Sequence, residues 1–197
     1  MSILENADEN TEESFSIPSF DQESALTGQL CHLALKKWDF KNPMGVEKLL
    51  TQESGVLSLT HPSPHWNKIL HESATLLKRF LSSQTAVEIS QKEILGREIP
   101  FAYEENGTVV RGVMDIVYRD HGKIVIADYK TGPPPPGNSP SPMQRYQEQA
   151  AIYCHAIEKF FGVKNVEFRI IFLRAPEKLI RWYNEKAFWE LNPGLGI

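Results

Sequence analysis

Residues 109–132, VVRGVMDIVYRDHGKIVIADYKTG, limit what this chain can fold into more than any other stretch. The run reads as two strands joined by a tight turn. Apolar residues occupy both faces of each: Val109, Val110, Val113, Met114, Ile116 and Val117 in the first, Ile124, Val125, Ile126 and Ala127 in the second. Such runs belong in the interior of a sheet covered on both sides. Yet Asp115, Asp128 and Lys130 stand there too. A buried carboxylate is strongly disfavoured unless it is paired or binds a cation, so these groups need partners.

Spacing supplies candidates. Side chains alternate along a strand, so Asp128 and Lys130 share a face and Tyr129 points away. A two-residue loop at His121-Gly122 sets Asp120 against Lys123 and, counting back, Asp115 against Asp128. A four-residue loop keeps that register, whereas a three-residue loop with a bulge shifts it by one and separates the carboxylates. In the even register two carboxylates and an ammonium converge on one patch, a donor set suited to Mg²⁺ or Mn²⁺ acting on a phosphate. The plainer alternative is a structural Asp–Lys pair, which leaves the second aspartate without a partner.

The motif G-V-M-D, twelve intervening residues, then D-Y-K-T-G resembles the active-site hairpin of the PD-(D/E)XK nuclease superfamily, and most closely its RecB/AddA-like exonuclease domains. By that resemblance Asp115 and Asp128 are the two acids and Lys130 the lysine. Three further matches extend the likeness. Gly28-x-x-x-His32 resembles the helix whose histidine ligates the metal in that family, although a lone histidine is otherwise an ordinary surface or core residue. Glu98, in E-I-P-F ahead of the hairpin, is similar to the family's additional acid; Glu93 and Glu104 are the other candidates. Gln149 and Tyr153 form a Q-x-x-x-Y pair, which implies that Gln149 orients the lysine or the site backbone and that Tyr153 contacts a DNA phosphate. Tyr146, one turn earlier, is a weaker third, and the Tyr129 carbonyl is implied as a backbone ligand.

The rest of the chain fits one domain. A polar, acidic stretch over residues 1–20 (Glu5, Asp8, Glu9, Glu12, Glu13) reads as a disordered tail or linker, leaving 21–197 as a single nuclease domain. Helical periodicity is expected over 22–38, 46–50, 66–80 and 143–161, the last closed by Gly162. Extended structure is expected over 87–103, 166–173 and 179–183, with Pro100 marking an edge strand or a strand start. The Pro-rich run after Gly132 reads equally as a spacer or as a flap at the site. The order of elements predicts an α/β fold: a central mixed β-sheet flanked by helices, restriction-endonuclease-like, with an N-terminal helical region. Arg145, Lys164, Arg169, Arg174, Lys178 and Arg181 read as scattered, solvated bases that could touch phosphates.

At 197 residues the chain can bury its own core, and 41% hydrophobic and 23% charged residues are ordinary globular values. No apolar run is long enough to span a bilayer, so no membrane partner is expected and the cytoplasm is the default compartment. The net charge of −4 weighs mildly against a nucleic-acid partner, but the acidic tail and the acidic site account for part of it. Cys31 and Cys154 are too few for the four-cysteine iron–sulfur cluster of some relatives, so none is expected. The absence of GxxxxGK[ST] leaves the chain without a motor of its own. The expectation is therefore a Mg²⁺- or Mn²⁺-dependent DNA exonuclease, with or without endonuclease action, serving a helicase domain or subunit in break repair. The competing expectation is a catalytically silent nuclease fold used to bind DNA or to assemble.

Overall fold

The computed structural model describes residues 19–41, 45–135 and 140–183. The acidic tail before Ser19, the middle of the Pro-rich loop and the end that includes Trp189 lie outside them. Ten elements follow in order: α1 (Ser19–Lys37), α2 (Val46–Thr60), α3 (Trp66–Leu81), α4 (Gln84–Ser90), β1 (Glu93–Glu105), β2 (Thr108–Asp120), β3 (Lys123–Lys130), α5 (Pro140–Phe161), β4 (Val166–Phe172) and β5 (Leu179–Tyr183). The strands form one sheet in the order β1-β2-β3-β4-β5. Its β3–β4 pair is parallel and the other pairs are antiparallel, as a mixed α/β sheet requires.

Each face of the sheet has its own core. Ile116, Tyr118, Val125, Ala127, Tyr129 and Ile171 meet α1–α4 on one side. Met114, Val117, Ile126, Phe168, Ile170 and Phe172 meet α5 on the other. Strands β3 and β4 are buried along nearly their whole length, which explains their unbroken apolar runs.

The two hairpins turn where the sequence signals. Asn106-Gly107 (φ 51° and 76°) and His121-Gly122 (φ 47° and 78°) are both left-handed, the conformation that matches strand twist in two-residue loops. Asp120 opposes Lys123 and the ladder runs to Ile116 opposite Ala127, as an even loop demands. Pro100 lies within β1, an edge strand, where a missing N–H is tolerated.

Three sequence expectations change. The helix expected over 46–50 extends to Thr60, because Leu49, Leu50, Glu53, Ser54 and Leu57 bury a stripe that continues past the polar run. Its polar members obscured the period: Glu53 is buried against Lys37 Nζ at 2.6 Å. Residues 87–90, expected to be extended, belong to α4. Ser83 caps this helix, its Oγ accepting the Ala86 N–H at 3.3 Å, and Ala86 and Ile89 pack inward. Finally, Arg169 is buried: it donates to Glu167 at 2.5 Å, to the Tyr118 hydroxyl at 3.0 Å and to Asp120 at 3.0 Å. Nothing local in VEFRIIF marks it as interior, since its partners come from β2 as well as β4.

Candidate active site

The site forms where β2 parts from β3. The ladder stops one step short of Asp115 and Asp128, and Asp115 Oδ2 accepts the Tyr129 backbone N–H at 2.7 Å. A side chain thus replaces the strand's own carbonyl. Met114 and Val117 both belong to the α5-side core while Ile116 and Tyr118 belong to the other, so alternation slips by one around Asp115. The neighbouring strand is distorted at the same rung. Glu98, between the pairs Arg97–Ile116 and Ile99–Met114, has a φ of 50°, a conformation costly for a residue with a Cβ.

Helix α1 brings His32 over this end of the sheet. Its Nδ1 lies 3.1 Å from Asp115 Oδ1 and 3.9 Å from Glu98 Oε1, and its Nε2 lies 3.0 Å from the Tyr129 carbonyl oxygen. Both ring nitrogens therefore face acceptors. Burial disfavours the imidazolium, but the Asp115 carboxylate, with Asp128 and Glu98 behind it, outweighs this and raises the His32 pKa. Burial and the Asp115 charge together raise Glu98. One donor atom each from His32, Glu98 and Asp115 lies within 4.8 Å of the others.

Asp128 has a different set of partners. Its Oδ1 accepts from Gln149 Nε2 at 2.6 Å and its Oδ2 stands 2.7 Å from Lys130 Nζ. That contact lacks the angle of a hydrogen bond, so Oδ2 is buried without a formal donor. Burial raises Asp128, Lys130 draws it back down, and the Asp115 charge pushes it up again. Burial works against the Lys130 ammonium, but Asp128 overrides it, so the lysine is held more firmly protonated. The two carboxylates feel each other yet are served from opposite layers: Asp115 by α1, Asp128 by α5.

Of the remaining residues named from the sequence, Tyr153 donates its hydroxyl to the Val113 carbonyl at 2.9 Å, two residues before Asp115. Tyr146 packs edge-on against Phe172, with ring centroids 6.2 Å apart. Glu93 pairs with Arg119 at 3.1 Å, and Glu104 is exposed. Cys31 and Cys154 are buried in the two separate cores, and burial pushes both thiols up to about 12.

This donor set suits a divalent cation: one imidazole, carboxylate oxygens, and a buried aspartate oxygen lacking a hydrogen-bond donor. The family model of the PD-(D/E)XK nuclease superfamily matches residues 4–186. The chain belongs to that superfamily. Its curated relatives include large subunits of ATP-dependent helicase/nucleases. The one from Thermoanaerobacter sp. (strain X514) is 26% identical over 76% of this chain. Its counterpart in Anoxybacillus flavithermus is 29% identical over 72%, and that in Streptococcus pneumoniae (strain CGSP14) 27% over 83%. The chain spans only 13%, 12% and 14% of those proteins, and matches them as a nuclease module.

Two features of this nuclease module escaped the sequence. Gly112 opens the G-x-x-D motif, and a Cβ there would fall 2.6 Å from the Phe101 ring and 3.3 Å from Tyr153. The glycine is required by a close approach that only the tertiary fold creates. The Val113 carbonyl, as the anchor of Tyr153, carries no side-chain signal at all.

Proposed function

We propose that this module is a divalent-metal-dependent deoxyribonuclease that hydrolyses phosphodiester bonds, working with a helicase domain or subunit on DNA ends. The observation that carries the proposal is the gathering of His32, Glu98 and Asp115 within 4.8 Å, beside an Asp128–Lys130 pair at 2.7 Å, at one end of the sheet. His32, Asp115, Asp128 and the Tyr129 carbonyl would hold Mg²⁺ or Mn²⁺, with Glu98 as an added donor. A cation there supplies Lewis acidity toward the phosphate and lowers the pKa of a bound water.

The chain's own groups divide the remaining work. Lys130 is held protonated by Asp128, so its role is to offset the negative charge that grows on the phosphate rather than to remove a proton. Gln149, donating to Asp128, fixes that carboxylate and, through it, the lysine. This refines the role expected from the sequence, in which Gln149 acted on the lysine or the backbone. Glu98 in its left-handed conformation points an acid at the cluster that an ordinary strand would direct elsewhere.

The deciding experiment incubates the protein with linear and circular DNA in Mg²⁺, Mn²⁺ or EDTA, alongside Asp115→Asn and Asp128→Asn. Expected are metal-dependent loss of DNA with wild type, none with either variant, and unchanged circular dichroism. Cleavage surviving in either variant would exclude this site. Binding without cleavage by wild type would instead show a silent fold.

A further inference from the structure

Arg97 stands one residue before Glu98, on the edge strand β1, opposite Ile116 and on the same side of the sheet as α1–α4. It is half-buried, and its Nε is shut off from solvent with no acceptor. Among the described residues, no carboxylate or carbonyl oxygen pairs with its guanidinium. The group instead lies over the Phe40 ring, 5.8 Å from the centroid. Other arginines of the fold are neutralised: Arg119 by Glu93, Arg169 by Glu167 and Asp120, Arg174 by Glu72. A partly desolvated guanidinium without an anion is unfavourable, and its planar fork matches phosphate oxygens. Lys36, one turn beyond His32 on α1, is exposed and within electrostatic reach of Glu98.

We propose that Arg97, with Lys36 beside it, forms a subsite for a non-scissile phosphate of the nucleic-acid strand, on the β1 side of the His32–Glu98–Asp115 cluster. The subsite rests on the nuclease reading and gives that reading a strand path. The bound strand runs from the α5 side, where Lys130 and Gln149 stand, across the acidic cluster to the β1 edge. Three acids with one histidine repel a polyanion; cations placed beyond them offset that repulsion where the next phosphate arrives.

The test measures binding of a labelled single-stranded phosphorothioate oligonucleotide, which resists hydrolysis, by fluorescence anisotropy over a range of salt. Wild type, Arg97→Gln and Arg97→Lys are compared, with thermal unfolding confirming that each is folded. Arg97→Gln is expected to weaken binding and to make the log–log salt slope shallower by about 0.7, the loss of one phosphate contact to a single strand. Arg97→Lys should keep the slope and lose affinity, since charge survives and the fork does not. Turnover of bis(p-nitrophenyl) phosphate, a diester with no neighbouring phosphate, should be unchanged in both. An unchanged slope in Arg97→Gln overturns the subsite, and so does an equal loss on the small diester, which would make Arg97 a support of the cluster itself. Should Arg97→Gln not fold, the same slope is read from Arg97→Lys carrying Lys36→Gln, where about 0.7 must still be lost. A wild type inactive on DNA and diester alike defeats the nuclease reading, while the slope still decides the subsite.

Discussion

Glu98 and Tyr153 show how single residues set this site. The left-handed φ of 50° at Glu98 is tolerated because both flanking rungs of the β1–β2 ladder hold the backbone in place. Glycine accepts this conformation and alanine does not, so Glu98→Gly should be more stable than Glu98→Ala by about 1 kcal/mol in urea unfolding without metal. Both variants should bind metal more weakly than wild type, since both remove the carboxylate. Tyr153 carries a role that its motif did not specify. Its hydroxyl is engaged with the Val113 carbonyl, and its ring lies edge-on to Phe101 and Phe168 at 5.2 and 5.6 Å. Tyr153→Phe should therefore raise the Mg²⁺ concentration needed for half-maximal cleavage, through a loosened Asp115. An unchanged Mg²⁺ requirement with weaker DNA binding would return the hydroxyl to the phosphate contact expected from the motif.

At the scale of elements, the β1–β2 hairpin is the piece on which the site depends. Its ladder runs past the end of the β2–β3 ladder, from Ile99 opposite Met114 out to Glu105 opposite Thr108, and this distal half leans on α5 through Phe101, Tyr103 and Tyr153. Gly112 permits that approach. Gly112→Ala should cost about 1–3 kcal/mol in thermal unfolding, because the Phe101 ring must be displaced, and cleavage should fall with it. The hairpin turns were legible from Asn106-Gly107 and His121-Gly122, since a left-handed two-residue turn depends on local chemistry. The lengths of α2 and α4 were not legible. In α2 a buried Glu53 made an inward position look polar, and α4 spans 7 residues, too few for a period to show.

At the scale of the molecule, a charged network ties the sheet together away from the site. Asp120 meets Lys92 at 2.7 Å and Arg169 at 3.0 Å, and Arg169 also holds Glu167. Burial would raise Asp120, but hydrogen bonds from Lys92, Arg169 and His121 overcome it and hold the carboxyl at about 2. The unfolded chain has this group near its ordinary value of about 3.9. Asp120 therefore contributes stability that is complete above that value and lost as pH falls through about 2. Urea midpoints should drop across this window in wild type and drop less in Asp120→Asn, which starts from a lower midpoint. Equal slopes in the two proteins would remove Asp120 from the acid response.

What the sequence determined by itself was whatever depends on neighbours along the chain: the turns, the doubly buried strands, the alternation that sets Asp128 and Lys130 on one face, and the motif spacing that pointed to a nuclease. What tertiary structure alone decided was how donors from different layers meet. The alternation slips at Asp115, the backbone inverts at Glu98, and α1 and α5 approach from opposite faces, so the two aspartates answer to different partners. The reason is physical. A strand's period is local, whereas the charge and hydrogen bonds that fix a buried carboxylate come from groups far away in sequence, 83 residues in the case of His32 and Asp115.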